Sequence, residues 1–128
     1  MGAPQFGRGI ENKSFAENVE VDIKANDANQ FDDDLQNGDI SSYDSGEQNI
    51  SGAQELTVAL LENSGSGDAN LEIQWTDGSG NVIFTENPSD IQNLNGSGNW
   101  ENIIVKSTHV KIVGSGTSSD SNVTVNAH

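Results

Sequence analysis

The sequence contains no cysteine in its 128 residues, which excludes disulfides, thiol catalysis and thiolate metal sites. Large apolar side chains are also scarce, because 32% of the residues are hydrophobic and 5% are aromatic. This composition predicts a thin hydrophobic core and an ordered region of about 100 residues or fewer. No run approaches the roughly 18 apolar residues of a membrane-spanning helix. Residues 1–8 lack the apolar stretch of a secretory signal peptide, so we expect no signal-directed export.

Basic residues are nearly as scarce, because five Lys and Arg stand against 20 Asp and Glu, for a formal net charge of −15. Binding to nucleic acid requires Lys and Arg side chains that displace counterions from phosphate, and no basic patch is present. The same charge opposes binding to anionic membrane surfaces. Nucleic acid and membranes are therefore excluded as partners.

The acidity itself is typical of proteins adapted to concentrated salt. At a Debye length of about 8 Å such a chain repels itself strongly, whereas at molar salt the length falls to about 3 Å and the repulsion largely disappears. Low Lys, high Asp and many small polar residues resemble haloarchaeal proteins. The alternative is an acidic, disordered or solvating protein of a mesophile. Clear strand periodicity in the later two-thirds of the chain favours the halophilic interpretation.

The chain divides into an extended N-terminal arm, residues 1–17, and a single domain, residues 18–128. The domain begins with a strand at 19–24, where apolar and charged residues alternate. It continues with a long acidic loop at about 26–54, in which we expect a short helical turn around 32–36. A loop of this length is unusual in a compact domain, and one that lies on another chain would explain it.

Six further short strands follow, with a Gly-rich hairpin turn at Asp77–Gly80. Each is a short apolar or alternating segment bounded by Gly, Ser, Asn or Pro. They are predicted at residues 56–61, 71–76, 81–85, 100–105, 109–113 and 123–127. The predicted fold class is therefore all-β: an antiparallel β-sandwich, Ig-like or jelly-roll-like, of about seven strands with an extended N-terminal arm.

The acidic run Asp32, Asp33 and Asp34 provides the only weak candidates for a metal site. An EF-hand loop that starts at Asp32 has Asn37 where glycine is needed, and one that starts at Asp33 has Leu35 at a ligand position. The two histidines have no zinc-ligand spacing. We therefore expect a solvated acidic segment and no specific metal site.

No constellation of an enzyme is present, and neither catalytic residues nor a cofactor are expected. Gly78-Ser79-Gly80 lies in a hairpin, not at the strand-to-helix turn of a nucleophile elbow, and the Gly-rich stretches lack the lysine and helix of a phosphate-binding loop. Trp75 and Trp100 suit either a sugar-stacking platform or the core. The strand pattern around them favours the core.

Two segments resemble small β-sandwich virion proteins of tailed viruses: Trp75–Ile83, with its Asp-Gly-x-Gly hairpin, and Ile103–Val113. Together with the acidic surface, the chain resembles a structural protein of a haloarchaeal tailed virus, over residues of about 53–128. The resemblance implies a non-enzymatic virion protein, a capsid-associated decoration or turret subunit. The alternatives are a tail, collar or baseplate component, or a cell-surface adhesion or carbohydrate-binding module of a haloarchaeon.

A virion subunit of this kind acts through contacts with its neighbours. The expected partners are copies of the same chain and other virion proteins, with Na⁺, K⁺ or Ca²⁺ as candidate bound ions. The expected location is the virion, after assembly in the host cytoplasm. We predict subunit contacts at Phe6 and Phe15 in the arm and at Phe31 and Tyr43 in the acidic loop.

Overall fold

The computed structural model describes residues 31–128, so the predicted arm at 1–17 and the predicted strand at 19–24 lie outside the described residues. The described part of the chain contains eight strands and two short 3-10 helices, Ile40–Ser42 and Ser89–Ile91. The strands are β1 (Asp32–Gly38), β2 (Gln48–Asn49), β3 (Glu55–Glu62), β4 (Ala69–Thr76), β5 (Val82–Glu86), β6 (Gly98–Ile104), β7 (His109–Gly116) and β8 (Ser121–Ala127). Neither helix among residues 31–128 has the length or apolar content to cross a membrane.

The strands form two antiparallel sheets, which we call sheet A, in the order β1-β8-β3-β6, and sheet B, in the order β2-β7-β4-β5. The pairing is nested: β1 pairs with β8, β2 with β7, β3 with β6, and β4 with β5. A single long hairpin whose tip is the turn between β4 and β5, rolled up until β3 meets β8 and β4 meets β7, gives this order. That is the eight-stranded jelly roll. Strand order, which the sequence left open, thus decides between the two predicted sandwich types.

Alternation along the central strands builds the core. Leu56, Val58 and Leu60 of β3 face Ile73 and other apolar residues of sheet B, because successive side chains of a strand point to opposite faces. The described members of the core are Phe31, Ile40, Tyr43, Ile50, Leu56, Val58, Leu60, Ala69, Leu71, Ile73, Trp75, Ile91, Ile103, Val110, Ile112, Val123, Val125 and Ala127. Eighteen residues of moderate size fill it, in agreement with the thin core that the composition predicts.

The helical turn predicted around residues 32–36 is wrong, because this segment is strand β1. Asp has a low helix propensity, and pairing with β8 satisfies the backbone of the acidic run. The pairing also turns Leu35 toward the core, opposite Val123. The segment that follows forms a strap (residues 39–54) in which Ile40 and Ile50 are fully buried. The described part of the predicted acidic loop therefore contributes to the core.

The six strands predicted between residues 56 and 127 are confirmed, with ends that differ by at most three residues. The hairpin turn is confirmed as well, and Asp77 caps it by accepting hydrogen bonds from the backbone N–H groups of Ser79 and Asn81. Gly78 and Gly80 have positive φ angles of 91° and 88°, which explains why the turn needs glycine there.

Candidate functional site

One side of the sandwich is open where both sheets end, with β5 as the last strand of sheet B and β6 as the last strand of sheet A. The connection between them carries the 3-10 helix Ser89–Ile91, whose Ile91 is fully buried and fixes the connection to the core. Edge strands present backbone groups that can pair with another chain. We call this side, residues 82–88 with 101–106, the β5–β6 edge.

The β5–β6 edge carries the exposed large apolar side chains of the described chain. Val82, Ile83, Phe84 and Ile104 are 51%, 63%, 48% and 68% exposed, respectively. In a protein with 5% aromatic residues, an exposed phenylalanine beside three exposed aliphatic residues is costly in solubility. Contiguous exposed apolar residues on an edge strand are typical of interaction surfaces.

A groove of about 560 Å³ opens between the two edge strands. Its walls are mixed, with Phe84, Pro88 and Ile104 supplying apolar surface and Glu101 and Lys106 supplying charge. Phe84 pairs directly with Trp75 across the β4–β5 ladder, so it lies on the core-facing side of sheet B and forms part of the groove wall. The groove therefore continues the hydrophobic core to the surface.

Glu86 organises the charged part of this groove. Its carboxylate accepts a hydrogen bond of 2.7 Å from the indole Nε1 of Trp75 and a second of 2.7 Å from the Lys106 ammonium. The Lys106 ammonium also lies 5.7 Å from the centre of the Trp75 ring, a cation–π distance. The arrangement holds Lys106, one of the two basic side chains among residues 31–128, in a fixed position at the β5–β6 edge.

Glu101, which lines the groove, is hydrogen-bonded to a second carboxyl group, that of Asp90. Burial raises the pKa of Glu101, and the adjacent Asp90 raises it further through a hydrogen bond and charge repulsion. Two carboxyl groups that share a hydrogen bond cannot both ionise as freely as isolated ones. Mild acidification therefore reduces the negative charge of this pair before it affects an ordinary carboxylate.

The weak metal candidates do not converge. The extended backbone of β1 points Asp33 to the face opposite that of Asp32 and Asp34. Asp33 accepts a hydrogen bond of 2.8 Å from the Tyr43 hydroxyl, and Asp32 accepts one of 2.5 Å from the side-chain amide of Asn126. Over residues 31–128, no group of three or more His, Asp or Glu side chains is arranged to hold a metal ion.

Among the predicted subunit contacts, Phe31 and Tyr43 are members of the core, and each is 6% exposed. Burial, assisted by the hydrogen bond to Asp33, raises the pKa of the Tyr43 hydroxyl far above its ordinary value. Only a small part of either ring is left for another chain to touch. Phe6 and Phe15 lie outside the described residues. A role in subunit contacts stays a prediction for all four.

One cluster resembles a catalytic triad in its residue types. The Thr57 hydroxyl lies 2.9 Å from Nε2 of His128, and Glu55 lies 3.9 Å from the same nitrogen. A triad needs the carboxylate on the opposite ring nitrogen, and it needs an accessible nucleophile. Thr57 is fully buried and also hydrogen-bonds Asn102. The cluster instead anchors His128 to β3.

The two tryptophans differ in their surroundings. Trp75 is completely buried, which confirms the prediction that it belongs to the core and removes it as a sugar-stacking platform. The same prediction is wrong for Trp100, which is half-buried on β6 and is not a member of the core. Residue patterns missed the β5–β6 edge, although a signal was present: Val82, Ile83 and Phe84 are consecutive and apolar. A strand that alternates its faces cannot hide all three at the edge of a sandwich.

Comparisons with known proteins give only distant similarities. No protein-family model matches the chain, and no curated protein does. Among solved structures, the chain is similar to the VP2 subviral particle of infectious bursal disease virus, with 16% identity and a TM-score of 0.41 over 80% of this chain and 31% of that one. It spans about a third of the length of that protein.

Two other similar structures match over nearly their whole length. One comes from the disulfide-linked pili of Bacillus endospore appendages, with 17% identity and a TM-score of 0.38 over 85% of this chain and 97% of that one. The other is a sugar-binding protein, the EclA C-terminal domain, with 13% identity and a TM-score of 0.34 over 96% and 94%. At such scores the three neighbours carry no argument about function, and the fold rests on the strand order.

Proposed function

We propose that this chain is a non-enzymatic virion structural protein of a halophilic archaeal virus, a capsid-associated decoration or turret subunit that acts through subunit contacts. The observation that carries the proposal is the β5–β6 edge. It combines an edge strand with four exposed large apolar side chains in a protein that has few of them. A surface of this kind suits permanent contact with another subunit.

The fold supports a role as a building block. A jelly roll protects most of its strand edges by pairing, and viral capsid domains are among the proteins that use it. Among residues 31–128, the one cluster with the residue types of a triad lacks an accessible nucleophile, because Thr57 is fully buried. A compact domain with one exposed apolar edge has the properties that a repeated subunit needs.

The charge distribution supports the proposal that the virion is exposed to concentrated salt. Residues 31–128 contain 15 acidic and two basic residues, a net charge of −13, so two copies repel each other in dilute salt. At molar salt the repulsion is screened within about 3 Å, and the apolar edge can determine association. Assembly that requires concentrated salt follows from this combination.

The test is the mass of the protein in molar KCl, measured by sedimentation velocity over a range of concentrations. We expect oligomers for the wild type and a shift to monomers for Ile83→Glu, because a carboxylate placed at the edge opposes its burial. Asn95→Glu adds the same charge to an exposed loop and is the matched control.

A wild type that stays monomeric at every concentration contradicts the proposal, as does an Ile83→Glu variant that associates like the control. Electron cryomicroscopy of native particles tests the placement. Density for the eight-stranded domain on the capsid supports a decoration or turret subunit, and density on the tail contradicts it.

A further inference from the structure

The outer face of sheet A is closed to solvent along its two central strands, β3 and β8, although it points away from the core. On β3 and β8, one set of alternate side chains builds the core, and the other set points outward. The outward side chains are nevertheless between 0% and 7% exposed. They are Thr57, Ala59, Leu61, Asn122, Thr124 and Asn126. We call this set the outer strip.

A two-layer sandwich leaves the outward face of its central strands in contact with water unless a further layer covers it. The 3-10 helices among residues 31–128 do not supply that layer to the outer strip, because Ile40–Ser42 packs against β7 and Ser89–Ile91 packs against β6 and β4. On the flanking strand β1, by contrast, Asp32 and Asp34 are exposed. The cover is therefore a narrow one that follows β3 and β8.

The chemistry of the outer strip fits an extended segment with one apolar side. Ala59 and Leu61 offer apolar surface, and the small side chains around them allow a backbone to approach closely. The side-chain oxygen Oδ1 of Asn126 is buried without a hydrogen-bond partner among the described residues. Such an acceptor is costly unless an N–H donor reaches it.

We propose that residues 18–24 of the same chain lie along the outer strip as a further extended layer. Their sequence alternates Val19, Val21 and Ile23 with Glu20, Asp22 and Lys24, which provides one apolar and one charged side. From Val19 to Ile23 an extended chain measures about 13 Å, the distance that separates Thr57 from Leu61 along β3. The apolar side of the segment therefore matches the strip in length.

Chain connectivity permits this placement. The backbone oxygen of Phe31 accepts a hydrogen bond from Ala127 of β8, so the described chain begins beside the end of the strip. Residues 25–30 can extend over about 20 Å, whereas the step from β1 to β3 across the sheet is about 10 Å. The segment can thus turn back over its own sheet.

The charge of the N-terminal residues is compatible with the same occupant. Residues 1–30 hold three of the five basic side chains, Arg8, Lys13 and Lys24, against five acidic ones, for a net charge of −2. Residues 31–128 carry −13. The N-terminal segment is thus the part of this chain that approaches an acidic sheet with the least repulsion.

The experiment uses the absence of native cysteine. In the full chain in molar KCl, a cysteine at Ala59→Cys should react slowly with a maleimide, whereas Ser66→Cys in an exposed loop away from the β5–β6 edge should react rapidly. Adding Val21→Asp should raise the rate at position 59 by roughly tenfold or more, because it opposes docking of the segment. Asn18→Asp places the same charge on the other side of the segment and should leave the rate unchanged.

Val125→Cys on the core face of β8 distinguishes undocking from unfolding, since undocking leaves this position protected. A second measurement combines Ala59→Cys with Val19→Cys, Val21→Cys or Ile23→Cys and tests whether a disulfide forms under oxidation. An intramolecular disulfide supports the proposal. Rapid labelling of Ala59→Cys without any disulfide overturns it, and a disulfide-linked dimer overturns it by assigning the strip to a second copy.

The outer strip and the β5–β6 edge can be tested separately. A covered strip in a chain that never associates would leave the inference intact and refute the proposed function. Association through Ile83 together with rapid labelling of Ala59→Cys would support the proposed function and refute the docking of residues 18–24.

Discussion

The buried carboxylate of Glu62, at the end of β3, connects three loops of the sandwich. It is fully buried. One carboxylate oxygen accepts hydrogen bonds from the hydroxyls of Ser64, at 2.5 Å, and Ser118, at 2.7 Å. The other oxygen accepts hydrogen bonds from the backbone N–H groups of Gly65, at 2.8 Å, and Gly96, at 2.6 Å. Each donor lies outside the eight strands. Loss of the charge should therefore loosen the whole end of the domain.

The pKa of Glu62 gives the size of the effect. Burial alone would raise this pKa, but the four hydrogen bonds outweigh burial and lower it to about 2 from an ordinary value of 4.5. Since the folded-state pKa is depressed, the ionised side chain stabilises the fold above pH 4.5. The contribution is lost as the pH falls from there toward 2. Its full size above this window is about 3 kcal/mol.

The perturbation is Glu62→Gln, which keeps the shape and removes the charge. At pH 7 we expect the variant to be destabilised by about 2 kcal/mol, since charge-assisted hydrogen bonds become neutral ones. This corresponds to a midpoint lower by roughly 8 °C. The difference should shrink as the pH falls below 4.5, because the wild type then loses the same charge. Thermal unfolding in molar KCl, followed by circular dichroism from pH 7 to pH 2, measures both effects.

The matched control is Glu72→Gln on β4, a half-exposed residue with one side-chain partner, Gln74. It should change the midpoint by far less than Glu62→Gln. A Glu62→Gln difference that stays constant between pH 7 and pH 2 would refute the linkage. Equal midpoints for the wild type and Glu62→Gln at pH 7 would refute the structural role as well.

The other predictions concern salt and packing. The midpoint of thermal unfolding should rise from dilute to molar KCl, because screening removes the self-repulsion of the −15 chain; a midpoint independent of KCl would contradict this. Gly114→Ala should destabilise the fold by about 2 kcal/mol or more, since the added Cβ would lie 2.3 Å from the backbone oxygen of Ile40. Gly80→Ala, whose added Cβ meets open space, should cost only the roughly 1 kcal/mol of its positive φ, and equal losses for the two variants in urea unfolding would contradict the packing argument.

Local pattern was informative wherever a strand is short, alternating and bounded by turn residues. The β4–β5 hairpin is the clearest case, because the turn Asp77–Gly80 contains glycines where the backbone needs positive φ. The acidic run 32–34 misled the prediction, since three consecutive Asp residues have no strand signature. Their extended form comes from pairing with β8, which is about 90 residues away in the chain.

The site was harder to predict than the fold. Val82, Ile83 and Phe84 look like an ordinary return strand, and only the strand order shows that β5 ends a sheet and leaves them exposed. Phe31 and Tyr43 show the opposite effect. They stand in a polar segment that predicts exposure, and the path of the strap carries both into the core.

The sequence by itself determined the all-β class, the charge and what the charge excludes, because composition and two-residue periodicity are local properties. Tertiary structure alone decided the jelly-roll order, the apolar β5–β6 edge and the closed outer strip. The physical reason is that a strand has two faces and two edges. Which of them meets water depends on partners that lie far away in the chain.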